Sequence, residues 1–99
     1  LFLGKEYSRY KNIIWILGGD RLPNEWSHGI PTWSAMAEGI TDGIAGEELF
    51  DGKANWESTF MGYHCFYPSD IWFSGAPWHD IVLWGSYHEK KDNDRAFEI

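Results

Sequence analysis

Residues 12–21 read Asn12-Ile13-Ile14-Trp15-Ile16-Leu17-Gly18-Gly19-Asp20-Arg21, and this stretch decides the fold. Ile13, Ile14, Trp15, Ile16 and Leu17 form an unbroken apolar, largely β-branched run. Such a run, closed by two glycines, predicts a strand of a parallel sheet buried on both faces. Gly18 and Gly19 let the backbone turn sharply, which sets Asp20 at the rim of the sheet. Burial of a carboxyl among apolar walls and aromatic rings raises its pKa and equips it as a general acid. The plainer alternative at this position is a turn or cap residue, bonded to backbone amides or paired with Arg21.

Outward from this strand, helical and extended patterns alternate. On the N-terminal side, residues 1–11 set Phe2, Leu3, Tyr7 and Tyr10 on one helical face, with Lys5, Glu6 and Arg9 opposite. On the C-terminal side, residues 22–31 form a loop marked by two prolines, Asn24, Ser27 and Gly29. Thr32 is the expected cap of a second helix in which Trp33, Met36, Ala37, Ile40 and Ile44 recur at helical spacing, with Gly43 or Gly46 ending it. Residues 56–64 predict a second strand, residues 70–73 a short helix, and residues 81–87 a third strand. Residues 92–99 resemble a helix start, with Asp92 or Asn93 as cap and Ala96, Phe97 and Ile99 on one face.

Strands that alternate with helices imply parallel βαβ units. Three strands cannot close a barrel, and an open three-stranded sheet leaves two long edges. The expected fold class is therefore α/β, a partial (β/α)8 TIM barrel, with residues 1–99 forming a fragment of a single domain that begins and ends inside helical patterns.

Composition narrows the function. Fifteen acidic against eight basic residues give a net charge of −7, whereas a nucleic-acid binder needs a basic face. A single cysteine, Cys65, excludes an internal disulfide framework. No run of 18 apolar residues is present, so no membrane span is expected. Aromatic residues make up 18% of the chain, too many for disorder, and they ask for an explanation.

Polar residues fall where parallel α/β folds place chemistry: Asp20, His64 and His88 lie at or just past the C-terminal ends of the expected strands. His64 and His88 suit orientation of a substrate hydroxyl or proton sharing with a carboxylate; burial of each under a loop is the equal alternative. No HxH, HExxH or CxxC spacing occurs, so neither a metal nor another cofactor is expected. Cys65 beside His64 faces the other side of its strand and is read as structural. The aromatic residues Trp26, Trp33, Trp56, Trp72, Trp78 and Trp84, with Tyr63, Tyr67 and Tyr87, are candidate stacking platforms for the C–H faces of sugars. Trp15, Trp33 and Trp84 sit in apolar runs and are assigned to the core, which leaves Trp72 and Trp78 as the preferred platforms.

The run NIIWILGGDR together with Trp33-Ser34-Ala35-Met36-Ala37-Glu38-Gly39-Ile40 resembles the apiosidase-like glycoside hydrolases. The resemblance continues through Gly62-Tyr63-His64, Ser69-Asp70-Ile71-Trp72-Phe73, Pro77-Trp78-His79-Asp80 and Gly85-Ser86-Tyr87-His88, most of residues 4–88. It implies a TIM-barrel glycosidase of which this chain covers roughly the third helix to the sixth strand. It further implies that Asp20 is the catalytic acid/base and that Arg21, His64, Trp72, Trp78, Ser86 and His88 contact an oligosaccharide or polysaccharide. A bacterial, periplasmic or secreted setting is implied as well. Gly85 stands where the family usually has Gln, Tyr87 replaces a Gly and Cys65 a Pro. Hydrolysis of a glycoside takes two carboxylates, and the family's second lies on the seventh strand. Glu57, early in its strand, and Asp80, at the far end of its strand from the cleft, do not fill that role, so the 99 residues alone are expected to be inactive until the rest of the barrel or another chain completes the fold. The alternative reading is a non-catalytic carbohydrate-binding module or pseudoenzyme that keeps the aromatic cleft.

Overall fold

The computed structural model of the chain describes residues 1–19, 21–25, 27–47 and 51–85. It is a mixed α/β arrangement: helix α1 (Phe2–Tyr7), strand β1 (Trp15–Gly18), helix α2 (Gly29–Ala45), a 3-10 turn (Trp56–Ser58), strand β2 (Met61–His64) and the short helix α3 (Asp70–Phe73). β1 and β2 pair in parallel, with Trp15 opposite Met61, Ile16 opposite Gly62, Leu17 opposite Tyr63 and Gly18 opposite His64. The connection between them runs through α2, the βαβ unit expected for a parallel pair.

The apolar run of residues 13–17 enters strand β1 from Trp15 onward, with Ile13 and Ile14 just before it, and it is not buried on both faces among the described residues. Leu17 is buried and Trp15 half-buried against the helical layer, while Ile14 and Ile16 on the alternate face are 59% and 48% exposed. Among the described residues only one face of β1 meets a helix, and that is the physical reason for the difference.

α2 begins three residues before the expected cap. Pro31 falls in its first turn, where a missing N–H breaks no bond. Thr32 lies inside the helix and donates its hydroxyl to the His28 carbonyl at 2.6 Å. Of the two candidate terminators, Gly46 ends the helix in the left-handed region at φ 78° and donates its N–H to the Asp42 carbonyl. Gly43 serves packing instead: it faces Gly4 of α1 at a helix crossing so close that a Cβ on Gly43 would strike the Leu1 carbonyl. α1 stops at Tyr7 rather than Lys11, because Ser8 turns its hydroxyl back onto the Lys5 carbonyl at 3.0 Å.

The expected strand over residues 56–64 is shortened at its start by the 3-10 turn, in which Ser58 bonds the Asn55 carbonyl at 2.7 Å. The expected third strand contributes an isolated parallel bridge, Gly62 to Ile81, and residues 86 and 87 lie outside the described residues. Beyond that bridge Ser69 takes both polar groups of Leu83, so they are not available to β2: Ser69 N–H donates to Leu83 O at 2.8 Å and Leu83 N–H to Ser69 Oγ at 2.9 Å. The helix expected near residue 92 also lies outside the described residues.

The core fills the layer between α2, β2 and α3. Ala37 and Ile40 of α2 meet Leu17, Met61, Tyr63, Cys65, Phe73 and Trp78. The rings of Trp33, Tyr63, Phe73 and Trp78 follow one another at centroid separations of 5.2, 5.0 and 4.8 Å in tilted or edge-on contact, the geometry aromatic quadrupoles favour.

Candidate functional site

The two strands end level with each other, at Gly18 and His64, and this common edge positions the candidate site. Gly18 takes φ +87°, a left-handed conformation that suits glycine. A Cβ here would lie 2.6 Å from Tyr63 Cζ and 2.7 Å from His64 O, so conformation and space both demand glycine. The Gly19 amide then donates to the His64 carbonyl at 3.1 Å and ties the turn to the end of β2. The chain leaves this bond directly into Asp20, which lies outside the described residues.

Arg21 follows the turn. Its carbonyl accepts a 3.5 Å contact from the Tyr63 hydroxyl, and its guanidinium, 75% exposed, reaches Glu25 at 3.5 Å. An exposed pair of this kind contributes little stability and leaves the guanidinium facing solvent. Glu25 is in turn held by the Leu22 amide at 3.2 Å. His64 is half-buried at the end of β2, on the same edge as the turn. Trp72 is half-buried on α3, with Tyr67 edge-on at 6.3 Å. Ser86 and His88 lie outside the described residues.

Trp78 is a correction. Its ring is 1% exposed, packed on Phe73, with Nε1 donating to Ser34 Oγ of α2 at 3.3 Å. It sits near the start of the third-strand segment: Asp80, two residues on, donates its N–H to Met61 O at 2.8 Å and accepts the Met61 N–H on Oδ2 at 2.9 Å. Met61 opens β2, so Trp78 belongs to the opposite end of the sheet from Gly18 and His64 and offers no stacking face. Tyr63 is likewise core, fully covered, and burial first of all pushes its phenol up to about 12. Asp80 lies at the end of the sheet away from the strand termini, as expected, and Glu57 sits exposed on the 3-10 turn.

Cys65 is fully buried, with Sγ bonded to the Tyr67 carbonyl at 2.8 Å. Burial pushes its thiol up, the opposite of what a nucleophilic cysteine needs. Among the described residues no three His, Cys, Asp or Glu side chains gather in a metal-holding arrangement, and no helix is long and apolar enough to cross a membrane. A groove of about 370 Å³ between α1 and α2 is lined by Phe2, Leu3, Met36 and Ile40. It carries no titratable side chain and lies in the helical layer, apart from the strand ends.

Two features were not anticipated. Asp42 of α2 is 1% exposed, and neither carboxylate oxygen has a hydrogen-bond partner. Ser69, fully buried at the head of α3, shares a 2.8 Å hydrogen bond with His79 Nε2. Neither has a sequence signal of its own: Asp42 occupies an ordinary helical position, and ten residues separate Ser69 from His79.

The described residues thus define an α/β protein whose parallel strands deliver a glycine turn and a histidine to one edge. The chain belongs to the apiosidase-like family, whose catalytic-domain model matches residues 1–99. Comparison with curated proteins found no match.

Proposed function

We propose that this chain is part of a (β/α)8 glycoside hydrolase, spanning roughly its third helix to its sixth strand, and that Asp20 is the acid that protonates the glycosidic oxygen. The observation that carries this reading is the shared edge at Gly18 and His64 in a chain of the apiosidase-like family. In barrels of this class catalytic groups come from the C-terminal ends of different parallel strands. The uncovered face of Ile14 and Ile16 supports the barrel, because a parallel sheet is normally buried on both sides. His64 and Arg21 are proposed to hold sugar hydroxyls, and Trp72 to offer a ring to the C–H face of an oligosaccharide or polysaccharide. Ser86 and His88 complete the proposed subsite. A Glu on the seventh strand supplies the second carboxylate that the reaction requires.

Asp20→Asn in the full-length protein tests the assignment. The exchange keeps the shape and removes the proton donor, so hydrolysis of a glycoside with a poor leaving group is expected to fall by about 10²–10⁴-fold with folding intact. Near-normal turnover removes Asp20 from the mechanism. Oligosaccharide binding without hydrolysis in the unaltered full-length protein favours the carbohydrate-binding alternative.

A further inference from the structure

Ser69 ties two segments together. Its N–H and carbonyl belong to the segment leading into α3, yet its backbone and side chain exchange two hydrogen bonds with Leu83 of the third-strand segment. Oγ accepts the Leu83 N–H and keeps one hydrogen and one lone pair for the 2.8 Å contact with His79 Nε2, whose direction is set by the ring's tautomer. Donation by Oγ requires Nε2 without a proton, with the ring hydrogen on Nδ1. A serine and histidine in contact invite comparison with a nucleophile and its base. Ser69 is fully covered and its oxygen is occupied by Leu83, so attack on a substrate is excluded here.

We propose that His79 is a positioning residue: its neutral ring, acting through the Ser69 hydroxyl, holds α3 and Trp72 against the segment at Leu83, and protonation of the ring loosens that hold. A proton on Nε2 would turn the ring into a donor. Oγ would then receive two N–H groups, and the hydrogen of the fully covered Ser69 would lose its acceptor. Among the described residues the charged groups that act on His79 are Asp70 of α3 and Asp80 of its own segment. The rings of Phe73 at 6.2 Å and Trp78 at 5.9 Å close other sides. Burial lowers the imidazole from its ordinary 6.5, and the two carboxylates oppose this without overcoming it. Stability contributed by this neutral ring is therefore complete above about pH 6.5 and is lost as the pH falls toward the folded-state value. The importance of Trp72 to catalysis rests on the glycosidase reading, whereas the tautomer and the hold on Leu83 do not.

Two measurements on the full chain test the inference. Long-range ¹H–¹⁵N imidazole spectra of the unaltered chain are expected to show His79 with its proton on Nδ1 and a midpoint below 6.5, and Ser69→Ala is expected to move that midpoint upward. Exchange of the Leu83 amide, corrected for its intrinsic rate, is expected to quicken by up to about tenfold per pH unit as the ring takes up one proton. In His79→Gln, whose side-chain oxygen accepts from Ser69 and does not titrate, that acceleration is expected to vanish. A proton on Nε2 in the neutral ring, or the same acceleration in His79→Gln, overturns the inference. Oligosaccharide binding without hydrolysis in the unaltered full-length protein would remove the glycosidase reading and leave both of these results standing.

Discussion

Replacing Gly18 by alanine confronts two costs that Gly19→Ala, one residue further on, avoids. At φ +87° an alanine is left-handed, which costs about 1–2 kcal/mol. The new Cβ would also lie 2.6 Å from Tyr63 Cζ, where ordinary contact begins near 3.4 Å. Tyr63 cannot easily yield: it is fully covered and held between Trp33 at 5.2 Å and Phe73 at 5.0 Å. Overpacking of this kind costs about 1–3 kcal/mol, so the two contributions together reach roughly 2–5 kcal/mol. In a chain of this size the melting temperature is expected to fall by about 10 °C or more. The Gly19 position has no atom within 4 Å of the added carbon and no positive φ. Gly19→Ala is expected to stay within about 0.5 kcal/mol of the parent. Paired urea and thermal unfolding of the two variants provide the assay. Equal effects, or a Gly18→Ala protein as stable as its parent, would refute the account of the turn.

Two further outcomes are expected. Burial first, then the neighbouring carboxylates of Glu38, Glu47 and Asp51, raise the Asp42 carboxyl above its usual 3.8. A raised acid favours the fold below the unfolded-state value and weakens it as the pH climbs through the folded-state value. Asp42 is occluded but shallow, surrounded by few atoms, so Asp42→Asn is expected to stabilise the chain at pH 7 by only about 1 kcal/mol, a gain that thermal melts should show disappearing below about pH 4. The Cys65 thiol, buried and pushed up by that burial, is expected to react with an aromatic disulfide reagent at pH 8 at least about 100-fold more slowly in the folded chain than in urea, and equal rates would contradict its burial.

Sequence patterns made some elements legible and concealed others for identifiable reasons. The apolar run before Gly18 and the helical spacing from Trp33 to Ile44 are local signals, and β1 and α2 follow from them. The short helix at Asp70–Phe73 is legible in the same way. Local patterns do not report which neighbour a backbone group will choose. The third strand is reduced because Ser69 takes the polar groups of Leu83, and no periodicity announces that exchange. Trp78 shows the same limit from the side-chain direction. A tryptophan among Pro77, His79 and Asp80 looks like a loop residue, yet the bonds between Asp80 and Met61 draw it to the sheet, and Ser34 supplies its indole with a partner. At the candidate site, the strand-end rule placed His64 on the edge shared with Gly18. The Ser69–His79 contact required the fold, since ten residues of sequence separate its members.

The half-open sheet also bears on how firmly the Gly18 turn is held. Ile14 and Ile16 retain about half of their exposure, and full burial of an isoleucine contributes about 1.5–3 kcal/mol, so covering this face is worth on the order of 2 kcal/mol. That energy would act through β1, whose last residue is Gly18. The rigidity of the Gly18 turn is then partly imported: a packing defect placed under Ile14 or Ile16 would loosen the turn from behind.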